Sequence, residues 1–217
     1  MIPGQDLDPC TGVIDHLVVT CSEIEKGISD IHSLLGVTPV PGGRHPSWGS
    51  HNALLGLGPS SYLEVISADP ASELPHADRP PVFTRPGRSR LNGWVAKHHD
   101  IPGAVHASEV SGRSLGIPVE GARLLPDGRQ LRWTLTDPHA RHFEGLAPIL
   151  IDWGRSPHPA GQVPSGCRLV DFRLRHPEPD ELADYLGALG VLVPVDHGPD
   201  ATIVATIEGP GGIVTLT

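Results

Sequence analysis

A chain of 217 residues with 38% hydrophobic and 19% charged side chains has an ordinary globular balance and length enough for a sizeable core, which argues against disorder. Its net charge of −9 speaks against nucleic acid or an anionic membrane surface as a partner, because phosphate binding needs a basic face. No run reaches the roughly 18 apolar residues of a membrane span, "MIPGQDLDPC" lacks the basic start and apolar core of a signal peptide, and Cys10, Cys21 and Cys167 are too scattered for a disulfide framework. These features together predict a cytoplasmic protein.

The 26 Gly and 24 Pro residues are spread along the chain as turn punctuation, a pattern that suits many short strands and few helices. "GVIDHLVVTC" (12–21) reads as a strand. "SEIEKGISDIHSLLG" (22–36) reads as a helix with Ser22 at its N-cap, Ile24, Ile28, Ile31 and Leu35 at helical spacing, and Gly36 closing it. "HNALLGLG" (51–58) and "YLEVIS" (62–67) form a hairpin signature. Residues 90–153 follow the same order, from "RLNGWVAKH" through a helix to a hairpin around Asp127-Gly128 and the closing strand "APILIDWG". Residues 165–217 repeat it again: the strand "CRLVDFRLRHP", the helix "EPDELADYLGALG" with Leu182, Tyr185, Leu186 and Leu189 on one face, and a hairpin around "GPGG". The expected organisation is an α+β chain of three βαβββ-like units, 12–69, 90–153 and 165–217, joined by Pro-rich linkers 70–89 and 154–166.

Two residues do not suit their strands. His16 interrupts "VIDHLVV" and Glu64 interrupts "YLEVI", where Val or Ile would pack better. A buried carboxylate without a partner is costly, so each misfit is a candidate explanation for the other. Strand alternation puts Ile14, His16 and Val18 on one face and Tyr62, Glu64 and Ile66 on one face. With Leu17, Val19, Leu63 and Val65 under the helix, His16 and Glu64 point to the opposite, concave side.

The "DHLVV" strand, the helix ending at "LLGV", the "GSHNALLGLG" arm and the "YLEVI" strand resemble the glyoxalase-like members of the vicinal oxygen chelate superfamily, which includes glyoxalase I, extradiol dioxygenases, methylmalonyl-CoA epimerase and drug-resistance proteins. The resemblance implies paired βαβββ modules whose curled mixed sheets enclose an open cleft. It also implies that His16 and Glu64 lie side by side as half of a metal site and as the catalytic pair. Imidazole nitrogen with carboxylate oxygen suits a divalent ion such as Zn, Ni, Fe, Mn or Co, acting as a Lewis acid in lyase, isomerase, epimerase or dioxygenase chemistry. No second His–Glu pair is recognisable: the corresponding places fall at Gly93 or Trp94 and Ile151 or Asp152, and in the third unit at Phe172 and Thr215.

The third ligand is open. His51 is expected on the concave face but far from Glu64, which makes it a substrate contact together with Arg44, Trp48, Asn52 and Tyr62. Asp152 or a second subunit are the other sources. The loop "GGRHPSWGSHN" (42–52), with Arg44, His45, Trp48, His51 and Asn52, has the composition of a pocket mouth. Arg132, "KHHD" and "PHARHFE" read as solvated surface. The alternative is a metal-free small-molecule-binding protein that cages a drug-like ligand, although only nine Trp, Tyr and Phe residues speak against a generous aromatic cage. An odd third unit would leave Phe172, Leu174, Ile213 and Leu216 without an internal partner, and on that ground a homodimer is expected, the alternative being a monomer in which the third unit covers the first two.

Overall fold

The computed structural model describes residues 13–80, 83, 88–125 and 128–217; Cys10 and Asp127 lie outside them. The chain runs β1 (Ile14–Thr20), α1 (Ile24–Leu35), β2 (Val40–His45), β3 (Ser50–Gly56) and β4 (Tyr62–Ala68). It continues with β5 (Arg90–Lys97), α2 (Ile101–Val110), β6 (Val119–Leu124), β7 (Gln130–Leu135) and β8 (Ile149–Asp152). The last stretch is β9 (Arg168–His176), α3 (Pro179–Ala188), β10 (Val195–His197), β11 (Thr202–Gly209) and β12 (Gly212–Leu216). The order strand, helix, three strands thus occurs three times.

The first two occurrences share one pairing scheme and close on each other. Their eight strands form a barrel in the order β1-β4-β3-β2-β6-β7-β8-β5. The two halves meet at β1 and β5 along an extensive antiparallel ladder, and at β2 and β6 through a single pairing, Arg44 with Leu124. One seam of the barrel is therefore firm and the other barely stitched.

The third occurrence is wired differently. Its sheet order is β10-β9-β11-β12, so the last strand is not a neighbour of the first, as β4 is of β1. Phe172 and Thr215, which match His16 and Glu64 by order along the chain, therefore lie on non-adjacent strands. The sheet packs on the outside of the barrel. Phe172 meets Trp94 with ring centroids 4.9 Å apart, and one continuous core joins Leu17, Leu63 and Val65 of the barrel's outer face to α1, α2, α3 and the inner face of this sheet. Phe172 and Leu174 are fully buried in that core, Leu216 packs against it, and Ile213 alone of the four is well exposed. Most of the apolar surface that suggested a dimer is thus covered within one chain.

Two local details differ from the sequence reading. Glu23, not Ser22, occupies the N-cap of α1 and makes no side-chain cap bond. Ile14 lies in the outer core with Leu17 and Val19, not beside His16, because β1 is irregular at Asp15: Ile14 pairs with Ala96 and His16 with Val95. The extra residue is a β-bulge, which turns Asp15 out of strict alternation. At the other end of α1, Gly36 adopts φ 76° as a left-handed C-cap, its N–H bonded to the His32 carbonyl. The N–H of Gly211, in the β11–β12 turn, bonds to the Leu35 carbonyl at 3.0 Å, so this helix end also anchors the third unit.

Candidate functional site

The barrel encloses a cavity with a polar side and an apolar side. His16 comes from β1, Tyr62 and Glu64 from β4, Asn52 from β3 and Arg123 from β6. Facing them are Val95, Leu135, Ile149 and Ile151 with the rings of Trp48, Phe83, Trp133 and Trp153. Side chains fill most of this space and leave about 30 Å³, room for one or two waters. A second pocket of about 210 Å³, lined by Gly42, Leu54, Arg129 and Leu131, adjoins it at Arg123, beside the loosely stitched β2–β6 seam.

His16 and Glu64 are both nearly inaccessible to solvent, and the Nε2 of one stands 3.7 Å from the Oε2 of the other. Each has its remaining polar atom engaged. Asn52 Nδ2 donates to Glu64 Oε1 at 2.5 Å. His16 Nδ1 donates to Asp15 Oδ1 at 2.8 Å, and Tyr62 stacks on the imidazole at 4.5 Å with an interplanar angle of 16°. Burial also holds the Tyr62 phenol well above its ordinary value, with Asp15 and Glu64 adding to the effect, so it is a neutral ring.

Asp15 is the anchor of this arrangement. It is completely buried, and its Oδ2 accepts from Trp153 Nε1 and His158 Nε2, both at 3.1 Å. Burial alone would raise its carboxyl. The hydrogen bonds from His158 and His16, with the charges those rings carry when protonated, outweigh burial and hold it well below the usual carboxylate range. An ionised Asp15 can only accept, which fixes the proton of His16 on Nδ1 and that of His158 on Nε2. The Nδ1 of His158 then accepts the Ala160 N–H. With its Nδ1 proton committed, a neutral His16 presents a lone pair to Glu64. Two acceptors 3.7 Å apart call for a positive centre between them: a shared proton, a ligand proton or a metal ion.

The residues stop short of a resident divalent centre. The resemblance implies a second ligand pair on β5 and β8, and the strand register puts Val95 and Ile151 there: of the places suggested by the sequence, Ile151 holds, while Gly93, Trp94 and Asp152 do not. Asp152 caps its own loop through the Gly154 N–H at 2.8 Å. His51 does not supply the third ligand or a cavity contact. β3 pairs Asn52 with Ile66 and His51 with Ser67, so Asn52 faces the cavity while His51 turns to the other face and bonds Ser67 Oγ at 2.8 Å. Among the described residues no group of three His, Cys, Asp or Glu is placed to hold an ion. Arg123, a cation, occupies the polar side of the cavity. One imidazole and one carboxylate beside a guanidinium are a poor divalent donor set.

Of the other sequence candidates, Trp48 and Tyr62 line the cavity and Arg44 does not: its Nε is ion-paired with Asp69 Oδ2 at 2.6 Å, over a separate groove bounded by Pro46 and Leu74. His45 also lines the cavity, with Nδ1 bonded to Ser50 Oγ at 3.1 Å. Burial pushes its imidazole down to about 4, opposed by Glu64 and reinforced by Arg123. Arg132 lies on the exposed surface, bonded to Gln130. Asp15, Arg123, Trp133, Trp153 and His158 were missed by sequence reasoning. Asp15 had a signal, since two adjacent polar residues inside an apolar strand break alternation. His158 had none, being one more histidine in a Pro-rich linker.

Paired strand–helix–meander halves closed into a barrel, with a His and a carboxylate on its adjacent β1 and β4, define a glyoxalase-like architecture. A family model described as a glyoxalase-like domain matches residues 14–190, and the chain belongs to that family, within the vicinal oxygen chelate superfamily. The chain matches no curated protein sequence. Among solved structures it resembles a hypothetical protein from Staphylococcus aureus, with a TM-score of 0.65 at 12% identity, covering 94% of this chain and 98% of that one. A mutant of 4-hydroxymandelate synthase from Streptomyces coelicolor aligns with a TM-score of 0.50 at 14% identity, over 94% of this chain and 62% of the other. Methylmalonyl-CoA epimerase from Mycobacterium tuberculosis aligns with a TM-score of 0.42 at 17% identity, over 67% and 91%. At these identities the likeness is one of fold. No helix among the described residues is long and apolar enough to cross a membrane.

Proposed function

We propose that the protein is an acid–base enzyme of the glyoxalase-like fold that handles a proton of a small oxygenated molecule between His16 and Glu64 without a resident metal. The observation that carries this reading is the 3.7 Å approach of His16 Nε2 to Glu64 Oε2, with every other polar atom of the pair already engaged. Asp15 orients the imidazole and stabilises it when it is charged, as a carboxylate behind a catalytic histidine does. The apolar half of the cavity leaves room for no more than one or two waters, which strengthens electrostatic interactions inside it. A C–H beside a carbonyl, brought to the pair, loses its proton to it and regains one from it. Exchange or epimerisation at that carbon follows.

The test is hydrogen exchange into a short 2-oxo acid such as pyruvate, followed by NMR in D2O with EDTA present. The expected result is C–H to C–D exchange faster than buffer alone, lost in Glu64→Gln and in His16→Ala. Equal exchange in wild type and both variants, or exchange that appears only after a divalent ion is added, contradicts the proposal.

A second reading, a cage that sequesters a ligand, has one observation in its favour. The few aromatic residues are concentrated: three of the four Trp residues line the one cavity, with Tyr62 and Phe83. Tight binding with no exchange on any ligand would select it.

A further inference from the structure

The polar side of the cavity holds a charge that no hydrogen bond or ion pair among the described residues answers. Arg123 is 4% exposed, and none of the hydrogen bonds or ion pairs among the described residues uses its guanidinium; its Nε has no partner at all. Buried arginines are normally paired, because an uncompensated charge removed from water is strongly unfavourable. Glu64 lines the same cavity but lies outside ion-pair range of Arg123, and its Oε1 is taken by Asn52.

A second orphan lies beside it. Asn52 Oδ1 is buried without a partner, and it and Arg123 Nη1 approach the same point next to Gly42, where a Cβ would collide with the Asn52 oxygen. The absence of a side chain at Gly42 makes room there for the Asn52 amide and the Arg123 guanidinium. Arg123 also separates the two pockets, lining both the barrel cavity and the 210 Å³ pocket at the β2–β6 seam. A molecule entering there meets the guanidinium before it meets His16 and Glu64.

We propose that Arg123 is the anchor for a carboxylate, or an equivalent planar oxyanion, on the ligand, and that the protein selects small organic acids over neutral molecules of the same shape. The guanidinium offers parallel N–H donors in the geometry a carboxylate accepts. Asn52 Oδ1, beside it, accepts a hydroxyl or protonated oxygen from the same ligand. This inference rests on the small-molecule site proposed above and assigns its ligand class. It also accounts for a cation next to the His–Glu pair: a carboxylate held on Arg123 places the adjacent carbon inside the barrel, where the proton is handled.

The experiment follows intrinsic tryptophan fluorescence, reported by Trp48, Trp133 and Trp153, while the protein is titrated with acetate, propionate and benzoate and with their neutral amides. Wild type should bind at least one acid tenfold or more tightly than its amide. Arg123→Met should abolish that preference and Arg123→Lys should keep part of it. Because the charge is unpaired without ligand, Arg123→Met should melt no lower than wild type, and only wild type should gain melting temperature from the acid. Equal binding of acids and amides, no binding of any acid, or an Arg123→Met protein that keeps the preference overturns the proposal. So does a large loss of stability in Arg123→Met, which would make the residue structural. If the preference is absent while Glu64-dependent exchange persists, this inference fails alone; if both are absent, the site itself is misassigned.

Discussion

Asp15 Oδ1 lies 2.8 Å from His16 Nδ1, although the two residues are neighbours in a strand and would ordinarily point to opposite faces. The bulge that allows this contact turns a strand histidine into an oriented one. It also makes the geometry of β1, more than the His–Glu pairing, the feature that sets up the site.

The first prediction concerns Asp15. Replacing it with Ala leaves three donors, from His16, Trp153 and His158, without their acceptor in a dry environment. Chemical denaturation should show a loss of about 3–5 kcal/mol, the range for breaking a buried charged network. His158→Gln, which keeps a donor near the same oxygen and is partly exposed, should cost about 1 kcal/mol or less.

The second concerns pH and His45. The unfolded chain takes up a proton near the ordinary histidine value of 6.5, whereas the folded imidazole stays neutral down to about 4. The stability this confers is fully present above 6.5 and is lost as pH falls from there toward 4, by at most about 3 kcal/mol. Urea midpoints at pH 7 and pH 5 should differ in wild type and differ less in His45→Asn. Equal pH sensitivity in both would contradict the burial assigned to His45.

The third concerns the attachment of the third unit. At Gly36, with φ +76°, a Cβ would stand 2.7 Å from the Gly211 nitrogen. Gly36→Ala should therefore lose the 1–2 kcal/mol or so of left-handed strain and more from the clash. Amide exchange should rise in the 202–216 hairpin as well as at the end of α1. A loss confined to the helix end would mean that the hairpin docks by its apolar face alone.

His16 and Glu64 were legible because a polar residue inside an apolar run has few bland explanations and alternation gives its direction. The same alternation misplaced Ile14, since one extra residue at Asp15 changes parity without leaving a turn signal. It misplaced His51 too: an uncounted residue in the β3–β4 turn exchanges His51 for Asn52. Arg123 sits in an ordinary hairpin, "GARLLPDGRQ", and only the closing of β6 against β2 makes it buried. The third unit shows the limit of repeat matching. Order along the chain repeats, but strand pairing is decided by packing, and here β9 takes β11 as its neighbour.

The most direct measurement of the central claim is the metal content of the purified protein, by elemental analysis of wild type, His16→Ala and Glu64→Gln, before and after EDTA. A proton-handling pair without a resident metal predicts sub-stoichiometric divalent ion in all three proteins, with melting temperature and 2-oxo acid exchange in wild type unchanged by EDTA. One equivalent of a divalent ion in wild type, absent from both variants and removed by EDTA together with activity, would contradict it.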